Sequence, residues 1–540
     1  MSAITLFRCR QILTMDRNCP EATHVAVRDG RILAVGDADC ANPWGGGRVD
    51  NRFADCVMVP GLVEAHAHVF AGGIWRYTYC GHYARRDPDG QTWPGVPSNE
   101  ALVERLGEVA AATPSDQPVV GWGFDPNFVP GRRLDRHHLD QVSTTRPVVV
   151  LHSNGHLLTA NSTALGAAGI ERGSNIEGIA RDHTGQPNGE LQEFDAMEPV
   201  MTLAKVQFSD MGDADGVRAY GRVARDCGVT TVADLFANLD ADEVDMLEDV
   251  VAEADFPCRY VPAMNAMRDT PEAEVRRLQA LKARSTAKLR FGRAKLFTDG
   301  AIQGFTAKLK WPGYLTGEDH SILNMTEEHF YAALLALHRA GIQTHIHANG
   351  DAASALTIAA IEAALRHHPV ADHRHVIEHA QLADRAQFLR MAALGIKVNL
   401  FANHLYYFGD IHWTTTLGPD RARRMNACRD ALEILGPYFA IHSDAPVTPM
   451  APLFTAWCAV NRITENGRQL GTAQQISVAD ALHCITLGAA YVLKLDHEVG
   501  SIQTGKRADF CLLAQDPLAV DPLALKDVPV VATVLDGHPT

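Results

Sequence analysis

The chain has 540 residues, 46% hydrophobic and 21% charged, with a formal net charge of −15 at pH 7. This is an ordinary globular composition, long enough for one large barrel with additions or for two to three domains. The acidic balance argues against a nucleic-acid partner, which needs a basic face. No run reaches the roughly 18 apolar residues of a membrane span, and no basic region followed by a long apolar stretch opens the chain. The 11 cysteines include no Cys-x-x-Cys pair, which fits reduced thiols in a cytoplasmic protein.

The first segment alternates as strands do. In THVAVRDGRILAVGD, Asp29-Gly30 stands between two β-rich runs, a hairpin signal. An apolar stretch from Val57 then finishes in His66-Ala67-His68. On a strand, residues i and i+2 point the same way, so both imidazoles could grip one ion. Alone, such a pair more often means two exposed loop histidines; the Pro-Gly and apolar strand before it favour the ion.

His68 and Gly228 lie 160 positions apart, far more than one crossover between parallel strands requires. That interval has its own strands (QPVVGWG, RPVVVLHSN), helices (NEALVERLGEVAAA, ANSTALGAAGI) and Pro/Gly-rich loops. It reads as an insertion that leaves from the face where the first strand ends and could cap an active site there.

Beyond it, strand and helix alternate. GVTTVADL (228–235) and FPCRYVPAM (256–264) are followed by runs ending near Lys295, His347, His379, Phe401 and Asp444. Helical patterns such as TEEHFYAALLALHRA lie between them. With the strand before His66 this makes eight, the alternation of a TIM barrel. GSIQTGKRADFCLLAQDP and VPVVATVLDGHPT return to short strands with Gly turns, so the two termini should pair in a small β-sandwich. The expected division is a sandwich of 1–58 and 498–540, a barrel of 59–69 and 219–497, and an inserted domain of 70–218.

His66, His68, Lys295, His347, His379 and Asp444 each stand where a strand ends, and a barrel gathers its strand ends on one face. Four imidazoles, one carboxylate and one amine converging there would hold one or two divalent ions. Asp444 could both ligate and take a proton from water. Lys295 is the odd member, because an ammonium has no lone pair. Either CO₂ converts it to a carbamate whose two oxygens bridge two cations, or it pairs with Asp299 or another carboxylate. Glu378 faces away from His379, toward packing or a salt bridge.

The motifs KLFTDGA, IHANGDAA, RHVIEHAQL and HSDAPVTP, after VPG and HAH, resemble the amidohydrolase superfamily over nearly the whole chain. The nearer likeness is to its amidohydrolase-3, or YtcJ-like, branch, which includes N-substituted formamide deformylases. The resemblance implies an α/β fold: a (β/α)8 TIM barrel with a β-sandwich from both termini and a large insertion after the first barrel strand. It implies His66 and His68 on one ion, His347 and His379 on a second, carboxylated Lys295 bridging, and Asp444 as ligand and base. The implied reaction is hydrolysis of a non-peptide C–N bond in a small molecule, an N-substituted amide, formamide or cyclic amide. Zinc suits these ligands, as do Mn²⁺, Fe²⁺ and Co²⁺. Trp122 and His156 resemble recurring positions of the branch, touching substrate or holding the cap together. Asp299 is a further candidate substrate contact. In NLFANHLYYFGDIHW, where the resemblance implies no fixed role, His404, Tyr406, His412 and Trp413 line a pocket or pack under a loop. A homodimer is compatible with the fold. The rival readings are a mononuclear deaminase-type enzyme and a non-catalytic regulatory or binding protein.

Overall fold

The computed structural model describes residues 3–540 apart from 130, 207, 318 and 319. The chain divides into two units, one of Met1–His68, Gly221–Ala445 and Met450–Thr540, the other of Val69–Tyr220 and Pro446–Pro449. Among the described residues no helix is long and apolar enough to cross a membrane.

The first unit is built on eight parallel strands: Leu62–Ala67, Val229–Ala237, Arg259–Asn265, Arg293–Phe297, Gln343–Ala348, Val376–His379, Lys397–Leu400 and Ala440–Ile441. They neighbour one another in chain order, and they are the eight expected from the sequence. Strands covered on both faces read as continuous apolar runs, which is why all five residues of RAKLF are buried, lysine included. The ring closes through backbone hydrogen bonds past the end of the eighth strand. Asp444 N–H donates to the His66 carbonyl (3.1 Å) and His68 N–H to that of Ala445 (2.9 Å). The intervening helices are amphipathic. Ala241–Ala252 buries Val244, Leu247, Val250 and Val251, one stripe at helical spacing, and Arg385–Leu394 opens on an Asp384/Gln387 capping box.

Both termini join in one eight-stranded sheet. The hairpin at Asp29-Gly30 is present, with φ of 54° and 72°, as a two-residue turn with both φ positive requires. Strand Phe510–Leu513 lies between Val57–Pro60 and Val530–Leu535, antiparallel to both. Its core gathers Phe7, Ile12, Val25, Phe510 and Val534 from the two ends of the chain. Arg259, at the start of the third barrel strand, is fully buried. It donates to both oxygens of Asp509 (2.8 and 3.0 Å) and to Asp536.

The second unit has a six-stranded sheet running Ile179–Arg181, Pro187–Gln192, Leu157–Ala160, Val148–His152, Val119–Phe124, Thr78–Tyr79. Side chains alternate along its central strands up to Trp122. Val120, Trp122, Val149 and Leu151 serve one apolar cluster, and Val119, Val148 and Val150 the other. A bulge between Trp122 and Phe124, at Gly123 with φ of 89°, turns Phe124 to the second face.

Candidate metal centre

The ends of the first and eighth barrel strands meet at one carboxylate oxygen. His66 Nε2 lies 3.3 Å and His68 Nε2 3.1 Å from Asp444 Oδ1. The hydrogen bonds that close the barrel seat these residues, since Asp444 and His68 each take part in one. Asp444 has φ of 54°, in the left-handed region that aspartate tolerates better than most residues. Ligand atoms of His66, His68 and Asp444 all lie within 4.8 Å of one another.

A second group adjoins it through His66. His379 Nε2 is 3.1 Å from His347 Nδ1, and its Nδ1 is 3.1 Å from His442 Nε2. His66, His379 and His442 also bring ligand atoms within 4.8 Å. His442 was missed in the sequence. The available signal was its place directly after the apolar run PYFAI and two residues before Asp444.

The protonation states suit a cation. Burial, with His347 and His66 nearby, pushes His379 well below the ordinary histidine value, so its imidazole is neutral and carries a lone pair. Burial works against ionisation of Asp444, but His66 and His68 prevail and hold its carboxyl well below the usual range. Burial and Lys295 oppose protonation of His66, yet Asp444 and Glu378 outweigh them and raise its pKa. An imidazole flanked by two carboxylates is where extra positive charge is favoured.

Lys295 is wholly buried, and among the described residues its Nζ has no hydrogen-bond partner. Burial pushes its pKa down to about 8, with Glu378 and Asp444 pulling the other way. Pairing with Asp299 is not formed. That carboxylate accepts the backbone N–H groups of Asn349, Gly350 and Lys308, each at 2.9 Å. Burial raises it to about 7 against those bonds. Asp299 therefore ties together the loops after the fourth and fifth strands, and His347 Nε2 lies 3.8 Å from its Oδ1. The neutral imidazole of His379, the ionised carboxylate of Asp444, His66 between two carboxylates and the buried Lys295 amine fit one or two divalent ions.

Glu378 turns into the barrel. It accepts from His66 Nδ1 (2.6 Å), His345 Nδ1 (2.6 Å) and Asn399 Nδ2 (3.0 Å). His404 stands one ring away from the centre. Its ring centroid is 4.3 Å from that of Phe401, which is 4.9 Å from that of His442. His404 Nδ1 is 3.2 Å from His412 Nε2, and His412 Nδ1 is 2.7 Å from Thr416 Oγ1. Tyr406 packs instead on Phe454 and Trp457, and the Arg468 guanidinium lies over Trp413.

Trp122 and His156 belong to the second unit. Trp122 is buried against Trp75 and Tyr79, both at 4.9 Å, with the Arg85 guanidinium 5.7 Å from its ring. Arg85 itself donates to the carbonyls of Pro446 and Val447. His156 Nδ1 lies 2.8 Å from Glu193 Oε2, and Glu193 has φ of 61°.

The sequence model of the amidohydrolase family matches residues 54–540. The chain is 28% identical over 517 residues to Protein LONG AFTER FAR-RED 3 of Arabidopsis thaliana, covering 93% of this chain and 86% of that protein. It is 26% identical over 550 residues to an N-substituted formamide deformylase of Arthrobacter pascens, covering 97% and 96%. In fold it resembles an uncharacterized metal-dependent hydrolase from Pyrococcus horikoshii, with a TM-score of 0.73, 20% identity and 96% and 99% of the two chains covered.

Proposed function

The chain belongs to the amidohydrolase family, and from that premise we propose that it hydrolyses a non-peptide C–N bond in an N-substituted amide, formamide or cyclic amide. One observation carries the reading: two imidazole nitrogens face a single buried carboxylate oxygen at 3.1 and 3.3 Å. Likeness to the formamide deformylase over 97% of this chain supports the substrate class.

His66, His68 and Asp444 would hold one ion. His347 and His379 would hold a second, with Lys295 as a carbamate between them. Zinc is the ion these ligands suit first. A bound divalent ion supplies charge that polarises the scissile carbonyl and makes water a stronger acid.

The chain's own groups do the rest. Asp444 Oδ1 faces the two imidazoles, which leaves Oδ2 to take a proton from the attacking water and return it to the leaving nitrogen. A lysine pKa of about 8 leaves part of the amine neutral near pH 7, and the neutral amine is the form that adds to CO₂, releasing one proton. Burial of the centre excludes bulk water, so each of these charges acts in a low-dielectric setting.

A second reading, one ion with Lys295 as an ammonium, is favoured by its Nζ lying 4.9 Å from the Phe297 ring centroid, a cation–π distance.

The test is elemental analysis of the purified protein with a screen of N-acyl, formamide and cyclic-amide compounds, with and without chelator. Hydrolysis of one class, lost on chelation and restored by Zn²⁺, is expected. Metal-loaded protein that cleaves none of them, or cleavage that survives complete metal removal, overturns the proposal. Two ions per chain favour the carbamate and one favours the ammonium.

A further inference from the structure

Resting on that metal reading, we propose that Glu378 is a positioning residue for the ion site, holding the His66 ring so that Nε2 is the atom offered to the ion. Glu378 precedes His379 on the sixth barrel strand, yet its carboxylate reaches the first strand, 312 positions away in sequence, at His66 Nδ1. His345 on the fifth strand and Asn399 on the seventh approach it from either side, and Asn399 is its register partner. All four side chains are buried, with at most 1% of any exposed.

The chemistry of these contacts settles the tautomers. An ionised carboxylate only accepts hydrogen bonds, so His66 and His345 each present Nδ1–H to it. A neutral imidazole has one N–H and one lone pair. With the proton of His66 on Nδ1, the lone pair stands on Nε2, the atom 3.3 Å from Asp444 Oδ1. The carboxylate–histidine pair also raises the basicity of the ligand and fixes its ring plane. His345 and Asn399 in turn supply N–H groups that hold Glu378 in one place. A carboxylate placed there only for packing would have no reason to reach the first strand.

Glu378→Gln separates this role from structure. The amide keeps size and shape but carries one acceptor oxygen where two are used. Either it turns its NH₂ on His66 Nδ1–H, moving that proton to Nε2, or it leaves His345 unmet.

The experiment is chelator competition for Zn²⁺ with wild type, Glu378→Gln, and both forms in a His66→Asn background, with folding checked by circular dichroism. Zinc affinity about 10- to 100-fold weaker in Glu378→Gln is expected, with no further loss when the change is added to His66→Asn. A folded Glu378→Gln protein that binds within about threefold of wild type overturns the proposal, as does an equal loss in the His66→Asn background. Should Glu378→Gln not fold, Glu378→Asp, which keeps the charge but withdraws the oxygens, carries the same pair of expectations. Wild type that binds no ion overturns the metal reading as well; wild type that binds, with variants unaffected, overturns only Glu378.

Discussion

Asp444 does two things with one carboxylate: Oδ1 lies against two imidazoles, and Oδ2 is directed toward the second group of ligands, 3.9 Å from His379 Nδ1. An amide in its place keeps one oxygen for the ion and loses the base. Asp444→Asn should retain bound metal while kcat falls by about 10²- to 10⁴-fold, the range for a general base; metal analysis beside saturating-substrate kinetics measures both. Lys295→Met should lower metal content from two ions to one if a carbamate bridges them, and leave it at one otherwise. Histidines 66, 68, 347 and 379 and Asp444 were legible in the sequence because each closes an apolar run of strand length. Convergence then follows from the barrel. Glu378 and His442 were not, because their roles depend on which face of a short strand turns inward and on partners across the barrel. Glu378 was read as facing packing or a salt bridge, and it does form ionic contacts, but with His66 and His345 inside the ring.

At the start of the fifth and sixth strands, opposite the ligand ends, a second histidine set is fixed in the neutral form. Thr344 N–H donates to His375 Nδ1 (3.1 Å), so His375 must donate from Nε2 to His338 Nδ1 (2.9 Å). His338 Nε2 then donates to the His368 carbonyl (2.7 Å). His373 likewise accepts the His375 N–H on Nδ1 and donates to the Leu394 carbonyl. Burial depresses His338, His373 and His375, the last well below the ordinary value, and Lys494, Lys397, His345 and His368 add to the effect among them. Above about pH 6.5, the unfolded value, these groups are neutral in both states and cost nothing. As pH falls below it the unfolded chain takes up protons first, so stability declines and continues to decline toward the folded values. Urea midpoints should therefore fall on the acid side of about pH 6.5. His375→Asn, whose side-chain oxygen still accepts the Thr344 N–H without titrating, should flatten that decline. No periodicity announces this set, since its histidines come from the end of one helix and from the loop before the sixth strand.

Across the molecule, the barrel and the terminal sheet of the first unit are tied by one buried cation. Arg259 meets Asp509 and Asp536 from the last strands. Removing one partner of a buried ion pair costs about 3–5 kcal/mol, so Arg259→Met should lower the urea midpoint of unfolding by a corresponding amount while leaving metal content unchanged. The eight barrel strands could be read from apolar runs alone because parallel strands are buried on both faces. The stretch 70–218 reads as an insertion because it has strands and helices of its own. The grouping of Pro446–Pro449 with Val69–Tyr220 has no such signal; there Arg85 donates to the Pro446 carbonyl, 361 positions along the chain.

The strand order of the terminal sheet sets a clock on synthesis. Val57–Pro60 takes its outer neighbour, Phe510–Leu513, from a segment made about 450 residues later. At about 5–20 residues per second, that is roughly 20–90 s during which a wholly apolar strand edge emerges with nothing beside it. Unpaired edges of this kind recruit other chains. Yield of the folded protein should therefore depend on how well the cell shields the nascent N-terminal third until the last strands arrive.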